Sequence, residues 1–207
     1  MKYSTEVLLN DLYTQTEKNL NTAISEWQQM PNIRMMAQPG VDRWSAIQCL
    51  EHLNSYGRYY LPAIEKAISR STQNKPVASF TSGLIGNYFY KLMLPANDGS
   101  LKKKMKSPKD HVPIKLLDPT KVLNEFISQQ ELIGQLLTRA QFINISKARV
   151  GISIAPFIKL KLGDVFLFLV AHINRHMLQA GNALQQSCND HVAVIGNTTK
   201  REENLLS

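Results

Sequence analysis

Apolar residues recur at three- and four-residue steps in four stretches of the chain, the period that turns one face of a helix toward a core. The first, about residues 5–29, places Leu8, Leu12, Leu20, Ala23, Ile24 and Trp27 on one stripe, and Pro31 ends it. The second is RWSAIQCLEHLNSYGRYYLPAIEKAI, where Ser45 followed three residues later by Gln48 predicts a capping box and a helix start. Its stripe runs through Ala46, Cys49, Leu50, Leu53, Tyr56, Tyr60, Ile64 and Ala67. Pro62 lies inside it and predicts a kink, because proline removes a backbone donor and crowds the preceding turn.

The third stretch opens at LDPTKVLNEF, with Asp118 as N-cap and Pro119 in the first helical position. Val122, Phe126, Ile133, Leu136, Leu137 and Ala140 form its core face. The fourth, about residues 163–186, has the stripe Val165, Phe166, Leu169, Ile173, Met177, Ala180 and Leu184. No stretch carries a convincing hairpin pattern, so the expected class is all-α, a four-helix bundle. The connection between the second and third helices holds Pro76, Gly83, Gly86, Pro95, Gly99, Pro108 and Pro113. It is the natural long crossover of such a bundle, with GLIGNYFYKLML predicted as a short helix within it.

Composition narrows the class. A chain of 207 residues, 43% apolar and 19% charged, suits one globular domain, 1–207, with a frayed tail expected from about residue 198. Such a chain can bury a core without staples, so a metal would serve function. The N-terminal twenty residues lack the apolar core of a secretory signal, and the longest apolar run, Val165–Ile173, is too short to span a bilayer. A cytoplasmic location without membrane attachment is expected. Cys49 and Cys188 form neither a disulfide framework nor a zinc ribbon. Net charge is +8, concentrated at Lys102, Lys103, Lys104, Lys106 and Lys109. With no nucleic-acid-binding motif beside it, this segment is expected to be a solvated loop, and no nucleic-acid partner is expected.

The sequence HINRH interrupts the last apolar run. On a helical wheel His172 and His176 fall about 40° apart on the buried side, while Asn174 and Arg175 project elsewhere. Two adjacent buried imidazoles need partners, which either core hydrogen bonds or a shared divalent metal would supply. His52 sits on the flank of the second stripe and is the candidate third ligand. His111, in the basic loop, and His191, in the tail, are weaker candidates.

RWSAIQCLEHL resembles the WSxxEhhxHL signature of the DinB/YfiT-like superfamily, and VAHINRHMLQA resembles its terminal HxxxHxxQ motif, a likeness covering about residues 41–184. The resemblance implies a four-helix bundle in which His52, His172 and His176 bind a divalent metal. Gln48 stands where relatives often carry an acidic residue, and Lys161 where a threonine commonly caps the last helix. Gln179 is either a group orienting a bound water or ligand, or a satisfied polar residue at the bundle end. Tyr56 and Cys49 are further neighbours of the presumed ligands. Cys49, one turn before His52, is read as a small core residue rather than a fourth ligand or reactive thiol.

Three neutral ligands leave an open coordination position, as catalytic sites require. Relatives that use low-molecular-weight thiols, such as bacillithiol-dependent transferases and a mycothiol-dependent maleylpyruvate isomerase, imply a metal-dependent S-transferase acting on a small molecule. A metal-dependent hydrolase and a non-enzymatic metal-binding or dimerising stress-response module are the alternatives. Neither Glu51, which faces away from His52, nor Glu131 identifies itself as a general base. The ion is left among zinc, nickel, iron and manganese, and similar proteins imply a homodimer.

Overall fold

Ser45 Oγ accepts from the Gln48 amide at 3.3 Å while Gln48 Oε1 accepts from the Ser45 amide at 3.0 Å, closing the predicted capping box. This start fixes α3 (Ala46–Ser69), whose helix continues through Pro62. Asp118 likewise caps α5 (Pro119–Ala140) through the Lys121 amide. The other long helices are α1 (Thr5–Thr22), extended by a π-helical turn over Ala23–Trp27, and α6 (Leu162–Glu203). The computed structural model describes residues 1–71, 75–96, 99–101, 106–114 and 116–203, with side chains through residue 186. Lys102, Lys103, Lys104 and residues 204–207 lie outside this description, as do the side chains of Cys188, His191 and the rest of the expected tail.

The chain is mostly helical. α1 packs on α5 and α6, and α3 packs on the same two helices. Every residue of the predicted stripes of α3, α5 and α6 is buried. The stripe of α1 differs: Ile24 is 41% exposed, and Thr16 and Asn19 take inward positions. Both are satisfied there, Thr16 by the Leu12 carbonyl and Asn19 by the Asn174 side chain on α6. The short helix expected between α3 and α5 is α4 (Leu84–Met93), packed on α6, and a further short helix, α2 (Asn32–Met36), precedes α3. Among the described residues, no helix is long and apolar enough to cross a membrane.

Strands are present, contrary to the reading of the sequence. β1 (Lys2–Ser4) pairs antiparallel with β2 (Ser79–Thr81), and β3 (Arg149–Ile152) forms a hairpin with β4 (Ala155–Lys161). The hairpin has no clear signature in the sequence because its alternation is broken by a register shift at Gly151/Ile152 and by an exposed Phe157 on β4. Its turn is tied to α3: Tyr60 Oη accepts from the Ser153 amide at 3.2 Å, and Tyr59 Oη donates to the Ile152 carbonyl at 3.3 Å. The hairpin thus becomes a wall beside the α3–α6 seam.

Candidate metal centre

α3 and α6 lie antiparallel, pairing His52 with His176, Tyr56 with His172, and Tyr60 with Phe168. His172 and His176 are one turn apart on α6 and so leave the helix from the same face. His52, left by the wheel on a flank, is as buried as His172 at 4% exposure, and His176 is 8% exposed. One ring nitrogen of each histidine lies within 4.8 Å of the corresponding nitrogens of the other two. His52 Nε2 and His172 Nε2 are 3.2 Å apart. That spacing matches the edge, about 3.3 Å, of a tetrahedron of nitrogens bonded at about 2.0 Å to a central ion.

The backbone decides the His52 tautomer. Its Nδ1 lies 2.6 Å from the His111 carbonyl oxygen, which can only accept, so Nδ1 carries the proton. Nε2 is left as a lone pair aimed at the other two rings, the orientation that a hydrogen bond on the far nitrogen gives a ligand histidine. His172 Nδ1, by contrast, is buried with no hydrogen-bond partner, so hydrogen bonding within the core does not account for this cluster.

Burial keeps all three rings neutral. It lowers His52 to about 4, against the hydrogen bond to the His111 backbone, and lowers His176 to about 3, against the hydrogen bond to Gln179. It also lowers His172 well below the ordinary range, helped by the like charges of His176 and His52. The donors are therefore in the unprotonated form that a metal needs at neutral pH.

Several residues around the histidines were not singled out by the sequence. Trp44 packs on His52 and His176 with ring centroids 5.0 and 6.0 Å away. Phe168 stacks on His172 at 5.5 Å. His111 is 8% exposed rather than loose in the basic loop; its ring stacks on Tyr56, and its Nδ1 lies 2.9 Å from Ser55 Oγ. Arg175 does not project away from the site: it is 8% exposed and lines the same cavity as His172 and His176. No periodic signal marks His111, because its position depends on the path of an irregular segment.

The DinB superfamily profile matches residues 13–180. The chain belongs to the DinB superfamily. The match includes all three histidines and covers most of the chain. Neither the curated proteins nor the solved structures give a match. The DinB superfamily is metal-binding, and His52, His172 and His176 could hold an ion. Their chemistry fits one: three neutral nitrogen donors, preset lone-pair direction at His52, and room beside them.

That room is a cavity of about 880 Å³, within the range of small-molecule sites. Tyr56 and Gln179 line it together with the histidines. Cys49 does not: it is fully buried, outside the donor cluster, and its thiol is pushed up by burial. Glu51 pairs with Arg58 at 2.8 Å, and Glu131 is exposed on α5.

Proposed function

We propose that this DinB-superfamily chain is a divalent-metal-dependent enzyme of the thiol S-transferase type, with His52, His172 and His176 as the protein ligands. The observation that carries the reading is the meeting of three neutral imidazoles at the wall of a cavity large enough for a small molecule. An ion bound by them would polarise a carbonyl or lower the pKa of a bound thiol or water.

The chain's own groups have definable tasks. The His111 carbonyl holds His52 in the tautomer that presents Nε2. Trp44, Tyr56 and Phe168 pack against the imidazole rings and hold them in place. Burial pushes the Tyr56 phenol up to about 12, so at neutral pH it is a hydrogen-bond donor to a substrate oxygen or sulfur. Gln179 orients a polar group beside His176.

Transfer is favoured over hydrolysis because, among the described residues, the cavity places no carboxylate beside the histidines to serve as general base. Asp42 is exposed at its mouth, Glu51 is engaged by Arg58, and Asp164 is engaged by Ser82 and Gly83. A thiol cosubstrate brings its own nucleophile and needs no such base once its proton is acidified. The same reading takes 1–207 as one domain, with α1, α3, α5 and α6 as a four-helix bundle and the α4 region as its crossover.

Elemental analysis of tag-free protein and a screen with low-molecular-weight thiols test the proposal. About one ion per chain and thiol-dependent turnover are expected, both lost in His176→Ala with the circular dichroism spectrum retained. Turnover of esters or amides without thiol would replace transferase by hydrolase. An absence of both ion and turnover, with His176→Ala unfolded, would leave the histidines a structural role.

A further inference from the structure

The cavity beside the histidines is polar at one end and apolar at the other. Along α6 its wall runs from Phe168 through His172, Arg175 and His176 to Gln179 and Asn182, a length of about 20 Å at helical rise. At the Phe168 end it is lined by aromatic and aliphatic groups. Tyr60 and Phe89 lie 5.9 and 6.1 Å from the Phe168 ring, and Met93, Ile154 and Leu160 complete the surface. The opposite end carries Arg43, whose guanidinium donates to Gln186 at 2.9 Å.

The charge on the cavity lining is one-sided. Its described residues include the cations Arg43, Lys106, Lys109 and Arg175 but a single carboxylate, Asp42. Arg43, Lys106, Lys109 and Asp42 are exposed, whereas Arg175 is 8% exposed and adjoins His176 in the chain. A guanidinium is costly to bury, and its planar fork matches a carboxylate in two-point contact. A divalent ion held by three neutral imidazoles would keep its full double positive charge next to it, because imidazoles cancel none of that charge.

We propose that the cavity selects an organic carboxylate: a small molecule whose aromatic or aliphatic body fills the Phe168–Phe89–Leu160 end and whose carboxylate is held by Arg175 beside the histidine centre. This names the substrate class of the proposed enzyme and rests on that reading for the chemistry, but the selection itself resides in the cavity wall. Lys106 and Lys109 at the mouth raise the local concentration of anions and favour their capture. Neutral and cationic molecules of the same shape gain the apolar contacts alone.

Calorimetric titration of the full chain, metal-free and metal-loaded, with 4-phenylbutyrate, 4-phenylbutanamide and 4-phenylbutylamine tests this. The metal-free protein is expected to bind the acid about tenfold more tightly than the amide, the contribution of a charge-assisted hydrogen-bonded pair. Arg175→Gln should bring the acid down to the level of the amide without moving the amide, and Arg175→Lys should keep a preference for the acid. Phe168→Ala should weaken acid and amide alike. Circular dichroism of each variant guards against unfolding. Equal binding of acid and amide, preference for the amine, undetectable binding at millimolar ligand, or an acid preference untouched by Arg175→Gln in a folded protein would overturn the proposal. Failure of the metal reading shows separately, as no ion taken up, and leaves discrimination by the metal-free protein intact.

Discussion

His111 lies flat on Tyr56, ring centroids 3.8 Å apart with 27° between planes, while its own backbone carbonyl accepts the Nδ1 proton of His52. One residue of an irregular segment thereby sets the direction of a candidate metal ligand on α3. The His111 side chain acts by anchoring that segment, through Tyr56 and Ser55, and the carbonyl acts on His52. Replacing His111 by Ala removes the anchors and leaves the carbonyl chemically present but poorly placed. Zinc affinity, measured by competition with a chromophoric chelator, is expected to fall about tenfold, as for other groups that orient metal ligands. An unchanged affinity would show that the stacking does not position His52.

Cys49 is fully buried within α3, and burial pushes its thiol up, away from the reactive thiolate. In a Cys188→Ser variant, a thiol-specific chromogenic disulfide is expected to react with folded protein far more slowly than with protein in denaturant. Removing metal should not change this, since Cys49 is outside the histidine cluster. Prompt reaction in the folded state would bring back Cys49 as a candidate for the chemistry.

The metal-free protein should lose stability in mild acid. His52 and His176 titrate at about 4 and about 3 when folded, against the ordinary 6.5 of an unfolded chain, so unfolding takes up protons below that value. Stability is full above pH 6.5 and declines as pH falls from there toward 4 and 3. Urea midpoints should therefore be level between pH 7 and 8 and drop steadily from pH 6.5 to 5. A midpoint unmoved across that lower interval would contradict the burial of neutral imidazoles.

Asp164, 1% exposed in the first turn of α6, accepts from Ser82 Oγ at 2.5 Å and from the Gly83 amide at 3.0 Å. It ties the start of α4 to α6, and Gly86 permits the approach: a Cβ there would stand 2.3 Å from Asp164 Cγ, which has no room to withdraw without losing those bonds. Gly86→Ala and Asp164→Ala are each expected to destabilise by about 1–3 kcal/mol in denaturant unfolding. Combined, they should cost less than the sum of the two, because they break the same contact. Full additivity would place the two residues in separate effects.

The helices themselves were legible because helical burial is periodic and local. Ser45 with Gln48, and Asp118 with Pro119, mark starts that need nothing beyond neighbouring residues, and the stripes of α3, α5 and α6 follow from a fixed turn per residue. The same rule sends His172 and His176 inward. It gives His52 only a flank, because how deeply a flank is buried depends on the partner helix, and here α6 brings Phe168, His172 and His176 against that side of α3. Arg175 shows the limit more sharply. A wheel places it off the apolar face, yet a cavity bounded by loop and hairpin residues takes its side chain.

Local sequence therefore determined which segments coil and which faces avoid water. The tertiary structure alone decided that His52 joins the pair on α6, that a carbonyl from position 111 fixes its tautomer, and that the described lining of the cavity carries four cations against one carboxylate. Those outcomes depend on residues distant in the chain meeting through non-periodic segments, whose paths are set by packing and hydrogen-bond demand rather than by any repeat.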